Sequence, residues 1–233
     1  MTPYRFNPFE MDLIRRLSFN VFLKSAFFKL NRWPSVFWGD FDESKDQKSK
    51  PNERQDLFDY SRFDIDLLGC FFPLSNGEGF IEIYQDRIKD CSHEISQRLS
   101  LDFDEVRTLL QTIVLIHEIG HWFSYSCFKF KQKHRNQVFN YQTSEILETI
   151  AQLSVLWATM NLTNKKVRNM QLIMNFLTDH QSYPYKQYLR LGKNYTKKIR
   201  ILNRYVELLD TENTDLDYLL LINKVPDPNR SFK

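Results

Sequence analysis

The pattern of apolar and polar positions divides the chain into an aromatic-rich N-terminal part, a short region of strand-like alternation and a long helical part. Residues 1 to about 38 have apolar side chains near helical spacing, which predicts an amphipathic helix that ends at Pro34. Residues 42–56, DESKDQKSKPNERQD, are almost free of apolar side chains and predict an exposed linker or loop. We expect four regions: an N-terminal helical segment (1–41), this linker or loop (42–61), a core (62–162) and a C-terminal helical extension (163–233).

Two runs of alternating apolar and polar residues flank the turn-forming sequence SNGEG. In the first run Phe63, Ile65 and Leu67 alternate with polar residues, and the second run begins at Phe80. This pattern predicts a β-hairpin that pairs Arg62–Phe72 with Gly79–Tyr84.

From Gln85 onward, apolar residues recur at helical spacing. Asp102 followed by Glu105 is typical of a capping box at a helix start. The fold class that follows is α+β and mostly helical, with a short antiparallel sheet beside the long helix that begins at Phe103 and with extra N- and C-terminal helices. The predicted helices are Gln85–Leu99, Phe103 to about Cys127, Ser144–Met160, Lys165–Thr178, Tyr183–Leu209 and Asp215–Ile222.

Composition and charge limit the class of protein. The 233 residues suit one domain with a substantial core, and the 42% of apolar residues is ordinary for a soluble globular protein. The net charge of +3 does not call for a nucleic-acid partner. No apolar run approaches the ~18 to 20 residues of a membrane span, so we expect no membrane partner. Three cysteines without a CxxC motif favour a reducing compartment, and we expect a cytoplasmic protein.

The predicted helix from Phe103 carries a group of titratable residues in the sequence IVLIHEIGHWFSY, residues 113–125. His117 and His121 lie one turn apart on the apolar side of this helix, so their imidazoles can converge on one point. Glu118 lies about 60° round the helix from His121 and borders that point. This is the geometry of HExxH, in which two histidines bind Zn²⁺ and the Glu polarises the metal's water.

The metal interpretation competes with a structural one. Two histidines on an apolar face are usually core residues, and HExxH arises by chance on the order of once per hundred chains of this length. Gly120 costs about 1 kcal/mol within a helix relative to Ala, which is easier to explain if another backbone passes close beside it. The uninterrupted apolar helix around the motif favours the metal interpretation.

A third metal ligand should come from another helix, because catalytic zinc sites usually have three protein ligands and one open position. The segment SEILETIAQL offers Glu145 and Glu148 on the same side of the helix. The first-turn position of Glu145 is explained by the helix dipole. Glu148 lies deeper among apolar residues, beside the small Ala151. We predict Glu148 as the third ligand and keep Glu145 as the alternative.

The two segments IVLIHEIGHWFSY and EILETIAQLSVLWA together resemble the gluzincin branch of the zincin metallopeptidases. In that branch the HExxH histidines and a Glu from a downstream ExxA-like helix bind zinc, and Glu148-Thr-Ile-Ala151 matches the latter pattern. The order of strand, helix and HExxH helix is also similar to small zincin domains of bacteria and phages. The resemblance covers about Phe63 to Met160 and implies a zincin-like catalytic core at 62–162. Cys127 stands where metzincins have a third histidine, which argues against that branch.

This resemblance implies a zinc-dependent metallopeptidase that acts on a peptide or protein substrate. By similarity, His117, His121 and Glu148 would bind Zn²⁺ and Glu118 would act as general base. The same analogy suggests that the strand Gly79–Tyr84 presents its edge to an extended peptide. Gluzincins commonly use a His or Tyr to stabilise the oxyanion, and the candidates here are His134, Tyr141, His180, Tyr183 and Tyr185.

Two other functions stay open. One is a zincin-fold binding or regulatory protein with weak or no peptidase activity, but an intact Glu118 speaks against it because a structural site has no use for a base. The other is a nucleic-acid-associated protein that uses the basic C-terminal segment KNYTKKIRILNRY, which the small net charge does not favour. The sequence indicates no particular oligomeric state.

Overall fold

The structure, a computed structural model, describes residues 2–20, 34–40, 63–74, 79–126, 144–160 and 162–191. Within these ranges the chain is mostly helical with one small sheet, so the α+β class is confirmed. None of the described helices combines the length and the apolar character needed to cross a bilayer. The helices are α1 Pro8–Asn20, α2 Gln85–Leu99, α3 Phe103–Ser126, α4 Ser144–Thr159, α5 Lys165–His180 and α6 Tyr183–Lys186, and a 3-10 helix, Gln187–Leu191, follows. The strands are β1 Thr2–Pro3, β2 Ser35–Gly39, β3 Gly69–Pro73 and β4 Gly79–Tyr84.

The sheet has four strands in the order β1-β2-β4-β3. β4 runs antiparallel to β3, with Phe71 opposite Ile81, and parallel to β2, with Val36 opposite Ile81. The sheet is therefore mixed, and the prediction of a purely antiparallel sheet is wrong. Because β4 has a partner on both sides, the prediction that Gly79–Tyr84 presents a free edge is also wrong.

The predicted hairpin is correct in its second strand and wrong in the start of its first strand. Ile65–Leu67 forms a 3-10 turn, and β3 begins only at Gly69, while Arg62 lies outside the described residues. The turn is closed by the Leu67 N–H, which donates to the Asp64 carbonyl at 3.0 Å. The next bond runs from the Leu68 N–H to the Ile65 carbonyl at 2.7 Å. The turn buries Ile65 and Leu68 completely, which a strand with alternating faces would not do.

The N-terminal prediction needs a similar correction. The predicted helix begins too early, since Thr2–Pro3 is a strand, and the residues that follow Pro34 form the strand Ser35–Gly39, which was not predicted. Residues 21–33 lie outside the described ranges. The sequence SVFWG contains the β-branched and aromatic residues that suit a strand. The helix α1 starts at a reciprocal cap in which the Glu10 N–H donates to Asn7 Oδ1 and the Asn7 N–H donates to Glu10 Oε2, both at 2.9 Å.

The helices after β4 follow the predicted periodicity closely. α2 has the predicted bounds, and α3 begins after Asp102, whose Oδ1 accepts from the Glu105 N–H at 2.9 Å as a capping residue should. α4 ends at Thr159, one residue before the predicted end, and α5 runs to His180. The helix predicted from Tyr183 to Leu209 is α6, which passes into the 3-10 helix. Residues 192–233, with the predicted helix Asp215–Ile222, and the linker or loop at 42–61 lie outside the described ranges.

The helices α3 and α4 approach closely at Gly120. A Cβ at this position would lie 2.8 Å from Ala151 Cα and 2.9 Å from Ser154 Oγ, closer than a side chain tolerates. The close helix contact that the sequence predicts at Gly120 is therefore confirmed. It brings the middle of α4 against the HExxH turns of α3.

On another side of α3 lies the edge strand β3. A Cβ at Gly69 would lie 2.5 Å from Val114 Cγ1, so the strand sits directly on the helix. The Tyr125 hydroxyl donates to the Leu74 carbonyl at 2.6 Å and ties the end of the strand to the end of the helix. The predicted position of the sheet beside the HExxH helix is thus correct, and it determines what surrounds the site.

Candidate metal centre

Three predicted ligands meet between α3 and α4. The Nε2 atoms of His117 and His121 lie 3.0 Å apart, and His117 Nε2 lies 3.1 Å from Glu148 Oε2. His121 Nε2 lies 3.6 Å from the other oxygen, Glu148 Oε1. All three residues are buried. Glu145 belongs to the first turn of α4, but its side chain lies outside what the structure describes.

A fourth residue, Asp66, joins this group and was missed by the sequence analysis. Asp66 lies in the 3-10 turn before β3, and its Oδ1 is 3.9 Å from the Nε2 atoms of both His117 and His121. One donor atom from each of the four residues lies within 4.8 Å of every other. The run RFDIDLLG contains no spacing that would connect it with HExxH, so only the folded chain brings this carboxylate to the site.

Glu118 lies beside the group rather than within it. Its side chain is buried, and the Phe71 N–H of the edge strand β3 donates to its carboxylate. Its Oε1 has no hydrogen-bond partner among the described residues. Burial, first of all, raises the pKa of Glu118 well above its usual value, so this carboxyl group has a strong affinity for a proton.

The electrostatics of the group separate the two histidines. Burial lowers the pKa of His117 to about 4 and keeps its imidazole neutral. Burial also lowers the pKa of His121, but the carboxylates around it, Glu148 first, outweigh this and raise that pKa to about 10. Burial raises the pKa of Glu148, but His121 and the hydrogen bond from His117 outweigh it and lower that pKa to about 2. Without a metal, the group therefore pairs a protonated His121 with an ionised Glu148, beside a neutral His117 that can act as a nitrogen ligand.

Asp66 differs from these residues in its exposure. Burial and the nearby Glu148 raise the pKa of Asp66 to about 7, while His121 and the Tyr185 hydroxyl oppose this rise. Because 46% of its side chain is exposed, solvent moderates the effect of burial. Asp66 is thus the one carboxylate of the group that faces solvent.

The donor atoms fit a metal ion. Two imidazole nitrogens that face each other at 3.0 Å are stabilised only by a proton or a cation between them, and the nearby carboxylate oxygens supply negative charge. Mixed nitrogen and oxygen donors suit Zn²⁺ and other divalent transition metals. The Nδ1 atoms of His117 and His121 have no hydrogen-bond partner among the described residues, although ligating histidines usually have one. The Asp66, His117, His121 and Glu148 side chains could therefore bind a metal ion.

Three of the five candidate oxyanion-stabilising residues lie in the described part of the chain, and one of these three borders the group. The Tyr185 hydroxyl forms a hydrogen bond with Asp66, and its ring centroid lies 6.2 Å from that of His117. His180 instead stacks on Phe176, and its Nδ1 lies 2.7 Å from the Phe176 carbonyl oxygen. The Tyr183 side chain is among the exposed ones. His134 and Tyr141 lie outside the described residues.

Comparisons of the chain with protein-family models, with curated proteins and with solved structures give no match. What indicates a function is the geometry of the site together with the resemblance in its motifs.

Proposed function

We propose that the chain is a zinc-dependent metallopeptidase of the gluzincin type that hydrolyses peptide bonds in a peptide or protein substrate. The observation that carries the proposal is the convergence of His117, His121 and Glu148 on one point, with the buried carboxyl group of Glu118 beside it. A structural zinc site uses the metal ligands but has no use for the carboxyl group of Glu118. A buried, unsatisfied carboxylate oxygen is costly, and such groups in native structures usually have a function.

In this proposal His117, His121 and Glu148 hold the Zn²⁺ ion, which when bound supplies a Lewis acid and a water of lowered pKa. Glu118 accepts a proton from the attacking water and later delivers it to the leaving amine. The burial that raises the pKa of Glu118 suits this role, because it increases the affinity of the carboxylate for that proton. The Phe71 N–H holds the carboxylate in place from the edge of the sheet.

Tyr185 is our proposed donor to the oxyanion. This choice is supported by its ring, which lies 6.2 Å from that of His117, and by its hydroxyl, which bonds to Asp66 at the solvent side of the group. Burial raises its pKa well above the usual value, so the hydroxyl stays protonated and able to donate. The cysteine content, with no CxxC motif, supports the cytoplasm as the proposed location.

Zinc content and hydrolysis, measured side by side, test the proposal. Protein purified without chelator should contain about one zinc per chain, and less than ~0.2 equivalents after zinc addition would contradict the metal site. The His117→Ala, His121→Ala double variant should lose the metal. Glu118→Gln should keep the metal and lose roughly 10²-fold or more of the hydrolysis of fluorescein-labelled casein, the scale of general-base loss.

A matched control is Asp90→Asn, which makes the same acid-to-amide change at an exposed position of α2 and should change neither quantity. Full hydrolysis by Glu118→Gln would refute the peptidase mechanism. Bound zinc without hydrolysis by the wild type would instead favour the binding or regulatory alternative. Salt-dependent binding of nucleic acid with no bound metal would favour the third function.

A further inference from the structure

The proposed ligands account for three of the four donors at the site, and Asp66 is left to explain. Its Oδ1 is equally distant, at 3.9 Å, from the Nε2 atoms of His117 and His121. For four ligands at bond lengths of 2.0–2.2 Å, tetrahedral geometry places the donor atoms about 3.3–3.6 Å apart. The separations of 3.0 and 3.1 Å among the buried donors and of 3.9 Å to Asp66 lie on either side of this value. A small shift of one carboxylate would complete a tetrahedron.

The turn that carries Asp66 is anchored by the two hydrogen bonds that residues just before it accept. The Ser182 N–H donates to Asp64 Oδ1 at 2.7 Å, and Gln181 Nε2 donates to the Phe63 carbonyl at 3.1 Å. Asp64 is completely buried. The backbone is therefore held toward the site, and the Asp66 carboxylate does not reach the histidines by chance.

The anchor also connects to the helix that carries the third ligand. Gln152 Nε2 donates to Gln181 Oε1 at 3.3 Å, and Gln152 lies one turn after Glu148 on α4. Both glutamine side chains are buried. The same polar network thus positions Glu148 and the turn of Asp66 relative to each other.

The direction and charge of Asp66 indicate its role. His117, His121 and Glu148 are buried and approach from the protein side, whereas Asp66, with 46% of its side chain exposed, approaches from the solvent side. That is the side from which water enters an open coordination position. Two neutral imidazoles and two carboxylates also balance the charge of a divalent ion, which a set with one carboxylate does not.

We propose that Asp66 is a fourth protein ligand, which occupies the coordination position that water needs, so that the site rests closed and hydrolysis requires the displacement of Asp66. This inference concerns the same metal and rests on the proposed function. Asp66 would then control the access of water to the metal, because a zinc ion with four protein ligands has the closed geometry of a structural site. Displacement of Asp66 would also free the Tyr185 hydroxyl, which bonds to Asp66 in the closed site, to donate to the oxyanion.

Cobalt substitution tests the coordination without any substrate. The protein is stripped with a chelator and loaded with Co²⁺, whose visible absorption depends on coordination number, and is then titrated with acetohydroxamate, a small metal-binding anion. Asp66→Ala should bind acetohydroxamate about tenfold or more tightly than the wild type, and its cobalt spectrum before titration should differ from the wild-type spectrum. Asp66→Asn, which keeps the size of the side chain, serves as the second variant if Asp66→Ala does not fold. Asp90→Ala is the control and should match the wild type.

Each outcome has a distinct meaning. Equal acetohydroxamate affinity and equal cobalt spectra in the wild type and the Asp66 variants would overturn the fourth-ligand proposal and leave the peptidase proposal intact. Failure of the wild type to bind cobalt would overturn the metal site, and the fourth ligand with it. The expected cobalt result without casein hydrolysis by any variant would support the closed site and count against the peptidase. Faster casein hydrolysis by Asp66→Ala than by the wild type would support both the fourth-ligand proposal and the peptidase proposal.

Discussion

The contact at Gly120 offers a sharp test of how the fold builds the site. In Gly120→Ala the new Cβ would lie 2.8 Å from Ala151 Cα and 3.2 Å from Ser154 Cβ. Carbon atoms prefer separations of about 3.5–4.0 Å, so α3 and α4 must move apart by about 0.7–1.2 Å. Glu148 lies one turn before Ala151 on α4 and moves with it. Because metal–ligand distances tolerate only about 0.2 Å, Glu148 should lose its place in the coordination shell.

The stability effect of this substitution is smaller than its effect on the metal. Overpacking costs about 1–3 kcal/mol in the free energy of unfolding. Alanine recovers about 1 kcal/mol of helix propensity relative to glycine. The net destabilisation is then between roughly zero and 2 kcal/mol, and the protein should still fold. The zinc affinity should fall by about 10- to 100-fold, the scale seen when the support of a ligand is disturbed.

Zinc affinity is measured by competition with a fluorescent chelator, and stability by urea unfolding of the same samples. Gly39→Ala is the matched control, because the Cβ it adds meets its nearest atoms, in Glu82 and Tyr84, only at 3.9 Å. It should leave the zinc affinity unchanged. A folded Gly120→Ala protein with wild-type zinc affinity would refute the argument that this contact positions Glu148.

The third ligand, the pKa of His121 and the cap of α5 can each be tested separately. Glu148→Ala should lower the zinc content strongly, whereas Glu145→Ala should leave it nearly unchanged, as measured by elemental analysis. The opposite result would show that the third ligand is Glu145, one helical turn earlier. In protein stripped with a chelator, the pKa of His121, raised from 6.5 to about 10, contributes stability that is complete below pH 6.5 and is lost as the pH rises toward 10. The free energy of unfolding in urea should therefore fall over that range, and zinc-loaded protein should lack this loss because bound zinc keeps His121 deprotonated throughout the range. Asn164→Ala removes the cap whose side chain accepts from the Val167 N–H at 2.9 Å, so it should cost about 1 kcal/mol of stability without changing the zinc content; an altered zinc content would show that α5 is coupled to the site.

The sequence by itself determined the helices around the site and the residues that those helices carry. Helical spacing is a local property, so the convergence of His117 and His121 follows from their four-residue separation. Gly120 predicted a close helix contact, because a glycine is unfavourable within a helix unless it makes room for a neighbouring backbone. Glu148 followed from its depth in an apolar helix and from its match to the gluzincin pattern. These inferences needed only neighbours along the chain and one familiar motif.

Only the tertiary structure decided which distant residues join the site. Asp66 precedes His117 by 51 residues (117 − 66), and the alternation of Ile65 and Leu67 predicted a strand there rather than a turn. Likewise, five candidates for the oxyanion donor were equivalent in the sequence, and the short helix α6 brought Tyr185 to the group. The strand β2 was not predicted although SVFWG suits a strand, because the apolar spacing before it indicated a helix and its pairing with β4 cannot be inferred from local sequence. Local periodicity records which face of an element is apolar, whereas contacts between elements depend on how those faces pack.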